Sequence, residues 1–408
     1  MALQFHHHKQ DNGLTVIAET NPDAHTAAVG FFVKAGTRDE DISTMGVSHF
    51  LEHMMFKGTA RRTAEDVNRE FDELGANYNA FTSQEMTVYF AQVLPEFLPR
   101  AVDLLGDILR PALRHDDFKI EKKVILEEIG MYDDRPNWRL HEELLEKHFD
   151  DHPLSFRVLG TTDSINALSL IQMRDYFDHR YSSDNVTVSA AGQIDFEKLI
   201  TDVGRITDSW QPTGAVRDYT EPNIKPGRHE AVDLQLNRHY IAMICPGPSA
   251  QDENRYTAMV MADVIGDVEG SRLYWALVDP GLADEAHFSF HPQDRVGSFY
   301  TGASCDPDRS EQVERRLLET VQGCATDINA AEVDRVKNKL ATQVTLQGES
   351  PSGRMRGLGS RWTYLGDYLP LDSELECIMA VTVDDVQELL NATRFDLFTT
   401  AWLGPKDQ

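Results

Sequence analysis

Between Trp210 and Arg228 the regular patterning of the chain breaks up, and Pro212, Gly214, Pro222, Pro226 and Gly227 crowd one short stretch. On either side of this break the same order of elements recurs. Before it, apolar runs over 14–19 and 27–35 read as strands, the loop Gly36-Thr37-Arg38-Asp39-Glu40 follows, and a helical stretch covers 44–56. After it, runs over 231–236 and 240–245 read as strands, a loop covers 247–253, and a helix covers 256–265. A chain of 408 residues also exceeds what one hydrophobic core organises. The expectation is an N-terminal domain over 1–210, a linker over 211–228 and a related C-terminal domain over 229–408.

Within the first half, Thr63-Ala64-Glu65-Asp66 reads as an N-cap with an acidic first turn, opening a helix that stops near Gly75. Residues 77–82 and 87–93 alternate and carry aromatics, as paired strands do. Helices are expected over 96–109, 116–131 and 140–149, and a strand over 186–191. The triplet His6-His7-His8 leads straight into the first strand and reads as natural strand or edge residues rather than a tag.

Composition narrows the function. A net charge of −28 argues against nucleic acid, which needs clustered Lys and Arg. It fits either a solvated acidic surface or an acidic chamber that attracts basic peptides. No apolar run reaches 18 residues, so no membrane span is expected. Cys245, Cys305, Cys324 and Cys377 are widely spaced, which suits free buried thiols in a reducing compartment. The first ten residues contain no apolar signal core, and a cytoplasmic protein is expected.

The chemistry concentrates in His49-Phe50-Leu51-Glu52-His53. On a helix, residues four apart share a face, so both imidazoles can address one ion. Glu52 stands beside that face. Zinc takes neutral imidazole ligands, and hydrolysis needs a carboxylate near the water to accept its proton. This inverted order, H-x-x-E-H, is the signature of one group of zinc peptidases. A third ligand is expected from a carboxylate on another helix, and Glu121-Lys122-Lys123-Val124-Ile125-Leu126-Glu127-Glu128 offers one. Glu121 and Glu128 lie seven apart, two turns, and so share a face.

These residues resemble those of the pitrilysin, insulin-degrading enzyme and mitochondrial processing peptidase family. The chain looks closest to its short bacterial processing-peptidase branch. The resemblance covers nearly the whole chain and is strongest over 12–135. It rests on Asn12-Gly13-Leu14-Thr15-Val16, on the zinc helix from Gly46 to Thr59, on Asn79-Ala80-Phe81-Thr82-Ser83 and on the helix from Glu121 to Ile129. It implies His49, His53 and Glu128 as ligands of one zinc ion per chain, and Glu52 as general base. Glu121 becomes the carboxylate that holds a ligand imidazole. Asn79, Ala80 and Phe81 become an edge strand that binds an extended peptide. The fold expected is α+β (an α/β roll): two similar domains, each an antiparallel-rich sheet with helices packed on one side.

The chain departs from the family in one respect. Where many members carry an Arg and a Tyr that bind the substrate carbonyl, this sequence has Leu277 and Asp284. The function expected is a zinc metalloendopeptidase acting on peptides or unfolded segments inside a dimeric chamber, as a homodimer or a heterodimer with a sister chain. Two alternatives stand beside it. One is a non-catalytic peptide-binding or scaffold homologue. The other is a catalytic subunit whose partner supplies the missing Arg and Tyr.

Overall fold

The computed structural model describes residues 3–405 and divides into two compact units. Among the described residues, unit 1 comprises 3–131, 156–218 and 346–368, and unit 2 comprises 132–155, 219–345 and 369–405. The units therefore do not follow the expected division at 211–228. Residues 132–155, expected in the N-terminal domain, pack within unit 2, and 346–368 pack within unit 1.

In chain order, the elements to the break are β1 (Gln4–Lys9), β2 (Thr15–Thr20), β3 (Ala27–Val33), α1 (Val47–Met55), α2 (Ala64–Glu73), β4 (Asn77–Thr82) and β5 (Thr87–Val93). Then come α3 (Leu98–Ile108), α4 (His115–Asp133), α5 (Pro136–Phe149), α6 (Thr162–Ala167), α7 (Leu170–Arg180), β6 (Val186–Gly192) and α8 (Phe196–Thr207). Beyond the break follow β7 (Gly227–Val232), β8 (His239–Gly247), α9 (Arg255–Gly266), β9 (Glu285–Pro292) and β10 (Gly297–Cys305). The last are α10 (Ser310–Asp327), α11 (Ala330–Glu349), α12 (Pro351–Leu365), α13 (Leu371–Ala380), α14 (Val383–Ala392) and β11 (Thr399–Gly404).

The sheet of unit 1 runs β1-β2-β6-β3-β5-β4 and that of unit 2 runs β7-β11-β8-β10-β9. Removing β1 makes the two orders equivalent, strand for strand. Each sheet has one parallel pair, β2 with β6 and β7 with β11, and its other pairings are antiparallel. The two domains are thus similar α+β folds, as expected, and α9 follows β8 as α1 follows β3. The histidine triplet lies in β1, a strand at the sheet edge.

Alternation along the strands explains how each sheet is covered. In unit 1, Phe31 meets Trp210 and Tyr89 meets Phe56 on the face that carries α1. On the opposite face, Ala28, Phe32, Val88 and Ala191 pack against Met355 of α12. That helix lies very close to the sheet, for a Cβ on Gly359 would come 2.2 Å from the Phe32 ring. Unit 2 repeats the plan. One face carries α9, α10 and α14, and on the other Leu140, Leu144 and Phe149 of α5 cover Ala242, Ile244, Ala401 and Leu403.

Most expected elements fall within two or three residues of their observed bounds. The strand expected over 231–236 does not. β7 ends at Val232, while Val232 and Leu234 are 62% and 77% exposed and Leu236 closes a turn onto Asp233. The apolar alternation there is a surface pattern, and pairing with β11 sets the strand earlier.

A buried ion pair fixes α12 to its sheet. Arg354 donates to both carboxylate oxygens of Glu19 in β2, at 2.8 and 2.7 Å, and the Tyr368 hydroxyl donates to the same carboxylate at 2.8 Å. Arg354→Met leaves Glu19 buried without its guanidinium, at a cost of about 3 kcal/mol. Urea denaturation of the variant should show a lower midpoint, with the shift multiplied by the m-value giving a loss of that size, and an unchanged midpoint would contradict this account.

Candidate metal centre

α1 is positioned first from its N-terminus. Gly46 precedes it with left-handed backbone, φ 89°, and a Cβ there would lie 2.8 Å from the Leu159 carbonyl oxygen. No side chain at that position caps the helix, and Glu40 serves instead. Gly46 N–H donates to its Oε2 at 2.7 Å and Ser48 N–H to its Oε1 at 2.8 Å. Burial pushes the Glu40 carboxyl up to about 7, against the pull of the Ser48 and Gly46 donors. The apolar face of α1 is then fixed by packing, with Phe50 stacked on Phe118 of α4 at 4.7 Å.

This arrangement leaves His49, Glu52 and His53 along one side, facing α4. His49 Nε2 lies 3.8 Å and His53 Nε2 3.5 Å from Glu128 Oε2. Among the described residues, His49, His53 and Glu128 are the one group of three or more such side chains whose ligand atoms lie within 4.8 Å of one another. Those separations are long for hydrogen bonds and lie within a few tenths of an ångström of the roughly 3.3–3.4 Å edges of a tetrahedron with zinc–ligand bonds of about 2.0–2.1 Å. His49 is 8% exposed, and its Nδ1 has no hydrogen-bond partner among the described residues. Burial, with His53 nearby, lowers its pKa to about 3, so the ring stays neutral as a ligand must. The donor set and its spacing fit a zinc ion.

Glu121 stands one layer behind. His53 Nδ1 lies 2.9 Å from its Oε1, so the carboxylate accepts the Nδ1 proton and leaves Nε2 free toward Glu128. Lys57 reaches the other oxygen at 2.7 Å. Burial raises the Glu121 pKa, but the bonds from His53 and Lys57 outweigh it and hold the group below its ordinary value. Of the carboxylates on this helix, Glu127 is exposed and takes no part.

Glu52 accepts a hydrogen bond from Thr82 Oγ1 at 2.5 Å and is close enough to His53 and Glu128 to feel their charges. Its pKa is raised, chiefly by burial. Thr82 ends β4, which lies at the edge of its sheet and, among the described residues, pairs only with β5. Asn79, Ala80 and Phe81 lie on that edge strand, with Asn79 and Phe81 exposed. In unit 2, Leu277 is buried in the core within a π-helical turn, Tyr274–Val278, and Asp284 is ion-paired to Arg238 at 3.1 Å. Neither offers a donor for a carbonyl.

Glu40, Lys57 and Thr82 are the participants that sequence reasoning missed. Lys57 and Thr82 lie inside the quoted motifs but carried no assigned role. Glu40 had a faint signal: an acidic residue ahead of a helix whose N-cap is glycine.

Comparison with known proteins supports the likeness. The model for insulinase (peptidase family M16) matches residues 15–162, and that for the peptidase M16 inactive domain matches 167–340. An uncharacterized zinc protease of Mycobacterium tuberculosis is 31% identical, over 96% of this chain and 91% of its own length. The chain belongs to peptidase family M16. A second relative, the uncharacterized zinc protease YmxG of Bacillus subtilis, is 28% identical over 97% of both chains. Among solved structures, a protease from Helicobacter pylori shares the fold with a TM-score of 0.92, at 21% identity over 99% of this chain and 100% of that one. All the candidate ligands of this M16 protein fall within the insulinase match, and Leu277 and Asp284 fall within the inactive-domain match.

Two outcomes follow. Glu121→Gln should weaken zinc binding about 10–100-fold in a chelator competition, while His49→Ala abolishes stoichiometric binding; unchanged affinity in both would remove this site. In the metal-free protein, the unfolded chain takes up a proton at His49 near pH 6.5 that the folded chain refuses until about pH 3. Stability should therefore fall as pH drops through that window, and His49→Gln should flatten the slope of urea midpoints against pH.

Proposed function

We propose that this protein is a zinc-dependent metalloendopeptidase that cleaves peptides or unfolded segments bound in extended conformation. The observation that carries the reading is the convergence of His49, His53 and Glu128 beside Glu52, with Glu52 hydrogen-bonded to the last residue of an edge strand. His49, His53 and Glu128 would hold the zinc ion, which when bound would supply Lewis-acid polarisation of an amide carbonyl and acidification of water. The chain's own residues do the rest. β4 offers the outward-facing backbone groups of its Asn79-Ala80-Phe81 stretch, those not bonded to β5, to an extended substrate, which adds as a further strand. Glu52 takes the proton of the attacking water and delivers it to the leaving amine. Its raised pKa suits both halves of that task. Thr82 orients its carboxylate, and Glu121 fixes the tautomer of His53.

The reading extends to a dimer, of like chains or with a sister chain, enclosing a chamber whose acidic walls favour basic peptides. The net charge of −28 is its support. Free Cys245, Cys305, Cys324 and Cys377 suit a reducing compartment and hence the cytoplasm. Among the described residues, no helix is long and apolar enough to cross a membrane.

A second reading is favoured by Leu277 and Asp284, one in the core and the other paired with Arg238. In it the chain is a catalytic subunit whose partner supplies the carbonyl-binding donors. The deciding measurement is hydrolysis of quenched, basic, extended peptides by the zinc-loaded protein. Glu52→Gln should lower the rate about 10²–10⁴-fold with zinc content unchanged. If the zinc-bound wild type is inert alone, the single-chain enzyme is ruled out.

A further inference from the structure

Besides the face that carries Glu121 and Glu128, α4 borders a groove that the proposed reaction does not use. The groove lies between α4 and α7 and encloses about 880 Å³. Ile120 and Ile171 line it at 63% and 72% exposure, a paired apolar surface rather than scattered single residues. Its rim is basic. Lys119, Lys122, Lys123 and Arg174 line it, and among the described residues no Asp or Glu does. The chain as a whole carries 67 acidic side chains against 39 Lys and Arg, so this patch is opposite in sign to the bulk.

The four cations differ in what holds them. Lys122 Nζ donates to the carbonyls of Asn166 and Leu168 at 3.0 and 2.7 Å, and Arg174 donates to the Leu113 carbonyl at 2.6 Å. Lys119 and Lys123 are exposed and, among the described residues, form no ion pair. They lie four residues apart on α4, one turn or about 6 Å along its surface. Carboxylates four apart on a second helix match that spacing, while its aliphatic side covers Ile120 and Ile171.

We propose that the α4–α7 groove is a docking site for an acidic amphipathic helix of another polypeptide. The contact is of the helix-in-groove kind, with Lys119 and Lys123 reading the charge and Ile120 and Ile171 supplying apolar area. It is distinct from the edge-strand binding proposed at β4 and does not depend on the peptidase reading.

The test uses full-length, zinc-loaded Glu52→Gln protein, so that cleavage cannot consume the probe. The probe is a fluorescein-labelled helical peptide of about 18 residues with Leu on one face and Glu at every fourth position, followed by anisotropy. Its counterpart carries Lys at the same positions. The acidic peptide should bind at least about 10-fold more tightly than the lysine one, and added salt should narrow the gap. Lys119→Glu combined with Lys123→Glu should weaken it at least about 10-fold, and Ile171→Asp should abolish binding. Ile171→Ser, milder at an exposed position, serves if charge at that site lowers the yield of folded protein. Removing zinc with a chelator should leave binding unchanged. Equal affinity for the two peptides, no effect of the groove variants, or loss of binding with zinc would overturn the proposal. So would groove-dependent binding of phosphatidylglycerol vesicles without binding of the peptide.

Discussion

The hydrogen bond between His53 and Glu121 ties α1 to α4, and the candidate metal centre lies where those two helices meet. Glu121 is 3% exposed, and a carboxylate that deep is costly unless its oxygens are matched. Nδ1–H of His53 donates a hydrogen bond to one oxygen, and the ammonium of Lys57 forms an ion pair with the other. Bonds of this charge-assisted kind contribute about 1.5–3 kcal/mol apiece. The carboxylate therefore holds the ring, and the ring holds α4 at the distance where Glu128 faces both imidazoles.

Other contacts converge on the same short helix from different directions. Glu40 gathers the open N–H groups of its first turn, Phe50 stacks on Phe118, and Thr82 reaches Glu52 from the end of β4. The loop that delivers Glu40 is itself pinned, since Arg217 grips both oxygens of Asp39 at 3.1 and 2.7 Å and Arg38 meets Glu85 at 2.6 Å. Helix, strand edge and loop are each held by buried or half-buried polar pairs, so the side chains of the candidate site sit on rigid supports.

Local signals were legible where the physics is local. The four-residue spacing of His49 and His53 follows from helical pitch, and alternation placed β4 and β5 at their observed bounds. The repeated order of elements anticipated the matching sheets. What escaped was what distant residues decide. The pull of β11 on β7 lies some 170 residues away in sequence, while the apolar alternation after Val232 is local and misleading. The assignment of α5 to unit 2 and α12 to unit 1 depends on which sheet face each helix covers, and nothing in their own periodicity reveals it. Lys57 had no partner in the sequence reading until Glu121 was placed beside it.

The reach of α12 has a consequence for how the protein is made. As the chain leaves the ribosome, every strand of the first sheet is complete once Gly192 has emerged, yet the residues that cover Ala28, Phe32 and Ala191 arrive with Met355. For the synthesis of some 160 further residues that face has no native cover, and Glu19 has no guanidinium beside it. The nascent N-terminal half is a sheet with one bare apolar side, the kind of surface that chaperones hold and that aggregates when they do not. Closure of the first domain is thus a late event, set by the completion of the second half of the chain.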